Sequence, residues 1–353
     1  MWIEELTYDA MGTVRATVLS DSGKEYITNI RKDWISWCSC PSWIYNKLPC
    51  KHIKFLYSKL EKEKMVDKSD KLVRIPTESK IIDDMIGGGF PQKLITAIFA
   101  PPATGKSWLA YQAGVSNIKT TGQETLLIDT EGITREDLDN ILTKLSKRYD
   151  ADAKTVKKKF KMIKTYDDPN AMSIQKLLMM FGFFVKLELS EKGKYKVTFQ
   201  PYDQTLKVNE LENISMIIID SLTKPIKDSI GSETANLPAR AQIVERMFGK
   251  LYQIAELYNI SVIVNHHASV PPPVGYVKAP YAYGGNPIYY NSKYILELFD
   301  STKAERDIKC VENKKKTWDL EARRIRLVRR PDEQPTGEKV PIRLKKDIGF
   351  VDE

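Results

Sequence analysis

The sequence predicts an α/β domain with a mostly parallel sheet covered by helices on both faces, preceded by a small domain that a metal ion holds together. Apolar strand runs alternate with helical patterns from about residue 73 onward, which favours a parallel sheet. Residues 100–107 end in Gly-Lys-Ser between an apolar run and a helical pattern, and three cysteines and a histidine lie within residues 38–52. With 353 residues, 42% of them hydrophobic, the chain can bury one large core and one small one.

We expect three segments along the chain. The small domain spans residues 1–62, a charged linker spans residues 63–72, and the α/β domain spans residues 73–353. The linker is predicted from its charged side chains, which leave little apolar surface to bury. Within the large domain, alternating runs flank a turn at Gly193, and this pattern predicts a β-hairpin insertion near residues 184–200.

The small domain carries the pattern Cys-x-Cys, nine residues, Cys-x-His. Soft thiolates and an imidazole in a set of four suit tetrahedral Zn²⁺, and a closed set of this kind is structural. A disulfide is less favoured, because cysteines two positions apart pair with strain and three cysteines leave one over. A segment of about sixty residues buries little apolar surface, so a metal is expected on physical grounds. The predicted zinc ligands are Cys38, Cys40, Cys50 and His52.

Local patterns also predict the elements around these ligands. Residues Thr13–Leu19 alternate between apolar and polar side chains, Asp21–Gly23 form a turn, and Glu25–Ile30 return, which together predict a β-hairpin. Residues Ile53–Leu60 have the spacing of an amphipathic helix that starts at the last ligand.

The segment Ala100–Ser107 has the strand, loop and helix context of a phosphate-binding loop, or P-loop. Backbone N–H groups and a helix N-terminus converge on phosphates there, and Lys106 adds a point charge. A later apolar strand ends in Asp220, the position from which a carboxylate holds hydrated Mg²⁺. The two features together predict a nucleoside triphosphate, ATP. Ala100 replaces the first glycine of the pattern. A degenerate site that hydrolyses slowly therefore stays an alternative, as does a strand–turn–helix without nucleotide.

The remaining elements follow from shorter patterns. Apolar runs predict strands at Thr125–Asp129, Met216–Asp220 and Ile260–Val264, and the lysine-rich run Lys154–Lys164 predicts a helix.

Charge and hydropathy narrow the class of protein. The net charge of +9 and the sequence pI of about 9.1 suit a polyanionic partner. The sequence has no run of about 20 apolar residues, and its first residues do not have the pattern of a signal peptide. We therefore expect a cytoplasmic protein with no membrane partner.

The large domain contains a series of motifs, which in chain order are Gly87–Gly89, the P-loop, Leu126–Gly132, Ile219–Thr223, Leu237–Gln242 and Leu257–Val264. In this order they resemble the ATPase core of the RecA/RadA recombinase family, closest to archaeal RadA and its paralogues, over residues 73–353. The cysteine and histidine pattern is similar to the SWIM zinc domain over residues 10–60. The resemblance implies a RecA-like P-loop NTPase core behind a SWIM-type α+β zinc domain.

The resemblance also implies roles for the matching residues. Lys106 would hold the β- and γ-phosphates, Ser107 would ligate Mg²⁺, and Asp220 would hold a metal-bound water. Glu131 looks like the catalytic glutamate that polarises the attacking water. His267 stands where the family has a glutamine that senses the γ-phosphate, and an imidazole can donate one hydrogen bond to a phosphate. The predicted catalytic residues are Lys106, Glu131 and His267, and the predicted nucleotide-binding residues are Ala103, Thr104, Gly105, Lys106, Ser107, Trp108 and Asp220.

Residues Ala268–Asn286 resemble, by position, the flexible DNA-contacting loop of the family. Tyrosines can stack on bases and lysines can meet phosphates, although each tyrosine can equally serve packing. The alternation in Arg324–Arg329 indicates a strand, so part of its charge belongs to a solvated face. The predicted DNA-contacting residues are Tyr276, Lys278, Tyr281, Tyr283, Gly284, Gly285, Lys314, Lys315 and Lys316.

These features imply a Mg²⁺-dependent ATPase of the RadA-paralogue type that binds DNA and is accessory to homologous recombination and DNA repair. Its partners would be single- or double-stranded DNA and a RadA-type recombinase or sister paralogues, and an oligomer is compatible with the family. The sequence lacks a Phe-x-x-Ala polymerisation motif ahead of the core, which favours an accessory role over filament formation. Two alternatives stay open. One is a KaiC-like regulatory ATPase that DNA does not stimulate, and the other is a zinc-stapled adaptor that binds ATP without turnover.

Overall fold

The structure is a computed structural model, and it describes residues 1–8, 14–30, 36–41, 50–56, 72–165, 173–190, 193–201, 211, 213–231, 236–269, 281–282, 286–300, 307–309, 316–318, 322–331, 338–345 and 348–352. These residues form two compact units, with the first holding those up to residue 56 and the second those from residue 72 onward. The division falls within the stretch predicted as a linker. Each helix in the described part of the chain is too short or too polar for a transmembrane span.

The first unit is a small antiparallel sheet with a short helix. Its strands, in the order β1-β2-β3-β4, are β1 (Trp2–Tyr8), β2 (Val14–Leu19), β3 (Glu25–Ile30) and β4 (Ser36–Cys38). The predicted hairpin is present as β2 and β3, and its turn closes when the Gly23 N–H donates to the Ser20 carbonyl at 2.9 Å. Residues 51–56 are helical, and Leu56 packs on Ala16 and Val18 of β2.

The second unit is built on one large sheet with three small strand pairs. Its strands are β5 (Arg74–Ile75), β6 (Phe90–Pro91), β7 (Ile95–Ala100), β8 (Glu124–Asp129), β9 (Phe160–Lys164), β10 (Phe183–Leu189), β11 (Tyr195–Pro201), β12 (Ile214–Asp220), β13 (Ser261–Ser269), β14 (Tyr281–Ala282), β15 (Tyr294–Asp300), β16 (Asp307–Lys309), β17 (Lys316–Trp318), β18 (Ala322–Arg329), β19 (Val340–Lys345) and β20 (Gly349–Val351). Within the described residues, the large sheet follows the order β20-β19-β18-β15-β7-β13-β12-β8-β9, and β14 pairs with β13 beside this path. The strands from β15 to β9 in this order are parallel, and β18, β19 and β20 add antiparallel strands at one side.

The helices of this unit are α1 (Lys80–Met85), α2 (Lys106–Thr121), α3 (Arg135–Arg148), α4 (Ala153–Lys159), α5 (Ser173–Met180), α6 (Thr223–Ile230), α7 (Leu237–Tyr258) and α8 (Asn286–Asn291). Their ends follow capping chemistry. Thr134 caps α3 by accepting from the Asp137 N–H, acidic residues occupy its first turn, and Lys147 and Arg148 occupy its last turn, as the helix dipole favours.

Helices cover both faces of the sheet. Side chains alternate between the faces along each strand. Ile263 of β13 belongs to one apolar core with residues of α2, α3 and α4, whereas the ring of His266 faces Phe248 of α7 with centroids 6.0 Å apart. The predicted α/β class with a mostly parallel, helix-covered sheet is confirmed.

The lysine-rich run Lys154–Lys164 is not one helix, so that prediction is wrong for its second half. Helix α4 ends at Lys159, and Phe160–Lys164 form β9, which pairs in parallel with β8. Phe160 is fully buried against α2, where a Cβ added to Gly114 would come within 2.5 Å of the phenyl ring. Such contacts are tertiary, and they override the local helical preference of a lysine-rich segment.

The hairpin predicted near residues 184–200 is present as β10 and β11, which pair from Phe183↔Pro201 to Leu189↔Tyr195. A cation–π contact holds it against α7. The Arg246 guanidinium lies 4.4 Å from the ring centre of Phe183 and 5.7 Å from that of Phe199.

Residues 348–352 join three helices of the large unit. The Gln112 amide of α2 donates to the Phe350 carbonyl at 3.1 Å and accepts from the Phe350 N–H at 2.8 Å. Arg148 of α3 donates to the same carbonyl at 2.6 Å. At the start of α1, the Asp352 carboxylate accepts from the Ser79 hydroxyl at 2.7 Å and from the Lys80 N–H at 2.8 Å. Burial raises the pKa of Asp352, but these hydrogen bonds outweigh it and lower the pKa overall.

We expect Asp352→Ala to lower the free energy of unfolding of the large unit by about 1 kcal/mol, because a helix start loses its side-chain acceptor. The difference in stability between the parent protein and Asp352→Ala should be fully present above pH 3.8, the ordinary pKa of aspartate. It should disappear as the pH falls through the lower pKa that Asp352 has in the folded protein. Urea unfolding followed by circular dichroism measures the effect. Asp228→Ala is the control, because the interaction of Asp228 within the described residues is an exposed ion pair with Lys224, whose loss should change stability little. Equal stability of Asp352→Ala and the parent protein would contradict the capping role.

Candidate functional site

The carboxyl ends of four neighbouring parallel strands meet at one edge of the large sheet. The register aligns His267 of β13 with Ala100 of β7, and Asp220 of β12 with Asp129 of β8. Ligands of open α/β sheets bind at this edge, outside the carboxyl ends of the strands. The predicted P-loop and acidic residues therefore lie around one location.

The P-loop turns from β7 into α2 through a strained backbone. Ala103 and Gly105 have φ of 60° and 104°, and Gly105 is the N-cap residue of α2. A Cβ on Gly105 would lie 2.7 Å from Leu344 and 2.8 Å from Phe350, so β19 and β20 add a second reason for glycine here. Ala100 belongs to β7 and has no positive φ, so the alanine at this position costs the backbone nothing.

Lys106 is a buried cation whose neighbours are carbonyl groups. Its Nζ donates to the carbonyl of Ala100 at 3.2 Å and to that of Pro101 at 3.0 Å. Burial lowers the pKa of Lys106, while the charges of Asp220 and Glu131 act in the opposite direction. Among the described residues, no carboxylate forms an ion pair with Lys106, and a buried ammonium of this kind suits an anionic ligand.

The other predicted P-loop residues differ in exposure. Thr104 is buried and donates from its hydroxyl to the Pro101 carbonyl at 2.8 Å, which closes the loop. Trp108 is half-buried and packs against the core of the large unit. The Ser107 hydroxyl acts to lower the pKa of Asp220, so the two residues predicted to ligate Mg²⁺ lie near each other.

Asp220 is a buried carboxylate with several donors. It accepts from the Asn265 amide and from the Tyr111 hydroxyl, each at 3.0 Å. Burial raises the pKa of Asp220, and the hydrogen bonds act against that rise. Tyr111 and Asn265 were not among the site residues predicted from the sequence. Tyr111 lies one helical turn after Ser107, so helical spacing is the signal that would have found it.

Glu131 follows β8 and contacts residues from two other strands. Its Oε1 atom lies 2.6 Å from His267 Nε2 and accepts from the Ser221 hydroxyl at 2.5 Å. The hydrogen bond from His267 and then that from Ser221 lower the pKa of Glu131 to about 2, against the effect of burial, and the charge of Lys106 assists. His267, the residue expected to sense a phosphate, thus contacts Glu131, the expected catalytic glutamate. Ser221 was missed, although it directly follows Asp220.

Backbone and side-chain hydrogen bonds join the ends of β8 and β12. The Thr130 hydroxyl donates to the Ser221 carbonyl at 2.6 Å and accepts from the Ser221 N–H at 2.7 Å. The Asp129 carboxylate accepts from the N–H groups of Glu131 and Gly132 at 3.0 and 3.1 Å. The turn that carries Glu131 is therefore held from both strands.

The first unit brings the four predicted zinc ligands together. Cys38, Cys40, Cys50 and His52 are buried, and their ligand atoms lie within 4.8 Å of one another. The Nδ1 atom of His52 is 3.7 Å from Cys38 Sγ and 3.8 Å from Cys50 Sγ. Ligands of a tetrahedral Zn²⁺ with ordinary bond lengths are about 3.5–3.8 Å apart, so the cluster fits this ion.

The surroundings of the cluster act on its thiols and on its imidazole. Burial raises the pKa of the Cys38 thiol to about 12, although the Thr28 hydroxyl donates to its sulfur at 3.5 Å. Thiolates of this kind form when a metal ion displaces the proton. The Tyr26 ring stacks on His52 with centroids 4.3 Å apart and fixes the plane of the imidazole.

Most of the predicted DNA-contacting residues lie outside the described part of the chain, namely Tyr276, Lys278, Tyr283, Gly284, Gly285, Lys314 and Lys315. Tyr281 lies in β14, which pairs with β13 through Ser269. This pairing brings the end of the predicted loop back to the strand that carries His267. Lys316 lies in β17, which pairs with β16.

Comparison with protein families matches both units. Residues 68–185 match the Rad51 family, and residues 34–61 match the SWIM zinc finger. The chain is thus similar to the Rad51 family and to the SWIM zinc finger over these residues, and both resemblances given in the sequence analysis are confirmed.

Curated relatives are proteins of DNA repair and recombination. The chain is 26% identical over 230 residues to the DNA repair and recombination protein RadA of Ignicoccus hospitalis, which covers 62% of this chain and 61% of the relative. It is 23% identical over 219 residues to the DNA repair and recombination protein RadB of Methanococcoides burtonii, covering 62% of this chain and 80% of the relative. The match to RadA of Aeropyrum pernix covers 59% of that relative, so the chain spans about three fifths of the RadA proteins it matches.

A crystal structure of the RadB recombinase has the same fold. It superposes with a TM-score of 0.53 and 21% identity, and the match covers 79% of this chain and 99% of the RadB chain. The large unit therefore has the RecA-like fold.

Proposed function

We propose that this chain is a Mg²⁺-dependent ATPase of the RadA-paralogue type that binds DNA and is accessory to homologous recombination and DNA repair. The observation that carries the proposal is the meeting of Lys106, Asp220 and Glu131 at the carboxyl edge of one parallel sheet. A buried ammonium, a metal-binding carboxylate and an ionised glutamate are the groups that phosphoryl transfer to water requires.

The P-loop and Asp220 would bind the nucleotide and its metal ion. The N-terminus of α2 and the Lys106 ammonium would hold the triphosphate, since among the described residues no side chain caps this helix and no carboxylate lies within ion-pair distance of Lys106. Ser107 and Asp220, which lie near each other, would hold Mg²⁺, which neutralises phosphate charge when bound. Asn265 and Tyr111 orient the Asp220 carboxylate for this task.

Glu131 would orient and polarise the attacking water. A carboxylate with a pKa of about 2 stays ionised at neutral pH, so it can accept a hydrogen bond from water throughout the working range.

The recombination role rests on the relatives, whose names describe DNA repair and recombination. DNA binding is also supported by the net charge of +9. The DNA-contacting residues remain those predicted from the sequence. A RadA-type recombinase or a sister paralogue is the proposed protein partner.

We further propose that Cys38, Cys40, Cys50 and His52 hold a structural Zn²⁺. All four ligands are buried in a unit whose apolar cores are small, so the ion would contribute much of its stability.

We expect Lys106→Ala to abolish tight ATP binding, because backbone amides cannot replace the ammonium.

Glu131→Gln should still bind ATP but hydrolyse it about 10²-fold more slowly, because the amide cannot polarise water as the carboxylate does. Fluorescent-nucleotide titration and phosphate release, with and without single-stranded DNA, measure both effects. Unchanged affinity in Lys106→Ala would refute the P-loop assignment. Turnover that ignores DNA would favour the KaiC-like alternative, and binding without turnover would favour the adaptor.

DNA affinity should fall steeply with salt, because the binding is mainly electrostatic. Replacing Lys314, Lys315 and Lys316 together with alanine should make the dependence of log K on log salt shallower, by about 0.7 for each single-strand phosphate that a lysine no longer neutralises. Fluorescence anisotropy with a labelled oligonucleotide at several salt concentrations measures the slope. The matched control replaces Lys186, Lys194 and Lys196 of the β10–β11 hairpin with alanine. This variant loses the same amount of positive charge. Equal slopes in the two triple variants would leave no special role for Lys314–Lys316.

The purified protein should contain one tightly held Zn²⁺ per chain, and Cys50→Ser should lose it. Loss of the metal should unfold the first unit alone, while ATP affinity persists because the large unit has its own core. Cys310→Ser is the matched control, since Cys310 is outside the predicted ligand set. Metal analysis and nucleotide titration on the same samples test both statements. An absence of zinc in protein purified without chelator would refute the site, and loss of ATP binding in Cys50→Ser would refute the independence of the units.

A further inference from the structure

We propose that Ser221 is a positioning residue for Glu131, whose carboxylate it holds together with His267. The inference rests on the proposed hydrolysis of ATP, because it assigns the geometry of the residue that would polarise the water. Ser221 itself would touch neither nucleotide nor water, and it would act through the Glu131 carboxylate.

Both donors bind the same oxygen of Glu131. His267 Nε2 and the Ser221 hydroxyl lie 2.6 and 2.5 Å from Oε1. In the part of the chain that the structure describes, no hydrogen bond reaches Oε2. Two donors on one oxygen fix the rotation of the carboxylate, and they leave the other oxygen for a water molecule.

The two donors differ in how firmly they are held. Ser221 is fully buried, and both its N–H and its carbonyl are bonded to the Thr130 hydroxyl. His267 has a side chain that is 34% exposed, and it lies two residues before the end of β13. The Ser221 hydroxyl is therefore the more rigidly held of the two donors, and the His267 imidazole is the donor that can move.

The backbone of Glu131 is fixed independently of these side chains. Its N–H donates to Asp129, and the preceding Thr130 N–H donates to the Asp220 carbonyl at 2.9 Å. The main chain is thus set by β8 and β12, and the remaining freedom of Glu131 lies in its side chain. Removal of the Ser221 hydroxyl should change the direction of the carboxylate and leave the fold intact, because the Thr130 contacts use only the backbone of Ser221.

The first experiment compares Ser221→Ala with Ser229→Ala in the full-length, zinc-loaded protein. Ser229 is a matched control, because its hydroxyl donates to the Pro225 carbonyl of α6. We expect Ser221→Ala to lower kcat about tenfold or more and to keep ATP affinity within about twofold, as loss of one hydrogen bond to a charged group predicts. Ser229→Ala should match the parent protein. An unchanged kcat in Ser221→Ala, or a loss of ATP affinity in place of a loss of kcat, would overturn the proposal.

The second experiment requires no hydrolysis. The chain has three histidines, so the imidazole ¹⁵N resonances of His267 can be assigned by comparison with His267→Gln. We expect Ser221→Ala and Glu131→Gln to shift the His267 Nε2 resonance, because both alter the acceptor that it faces, and Ser229→Ala to leave it unchanged. A His267 resonance identical in Ser221→Ala and the parent protein would overturn the positioning role. If the parent protein hydrolyses no ATP, the proposed function fails and this measurement still decides the Ser221 contact.

Discussion

The proposed nucleotide site depends on the in-register parallel pairing of β7, β13, β12 and β8. Side chains alternate between the two faces of a sheet, so a shift of one residue in any of these strands would turn its functional group to the opposite face. The register that aligns Asp220 with Asp129 also aligns Ser221 with Thr130, and their mutual hydrogen bonds resist such a shift. The backbone pairing therefore determines where the functional side chains lie, and the contacts between these side chains depend on it.

This dependence explains which parts of the site could be predicted from the sequence. The P-loop and the strand that ends in Asp220 are contiguous patterns, and contiguous patterns are visible without knowledge of the fold. The contacts of Asp220 with Asn265 and of Glu131 with His267 join different strands, so they depend on strand order and register. Strand β9 was missed for the same reason, since its pairing with β8 is a tertiary contact.

The first unit follows the same rule on a smaller scale. The pairs Cys38 with Cys40 and Cys50 with His52 could be predicted from the sequence, because the members of each pair are only two positions apart. The contact of Tyr26 with His52 could not, because it requires the pairing of β3 with β4 and the placement of residues 51–56. The clustering of these four side chains was thus predictable, whereas the contacts around them were not.

The attachment of residues 348–352 to the first helices has a consequence for synthesis on the ribosome. Ser79 and Asp352 are 273 positions apart, and Gln112 and Phe350 are 238 positions apart. The P-loop emerges early, but the groups that complete its surroundings emerge far later. Folding of this unit thus depends on very long-range contacts, which slow folding and prolong the exposure of apolar surface. A nascent chain halted before these residues would display the P-loop sequence without the packing that supports it, and exposed apolar surface of this kind is what chaperones shield.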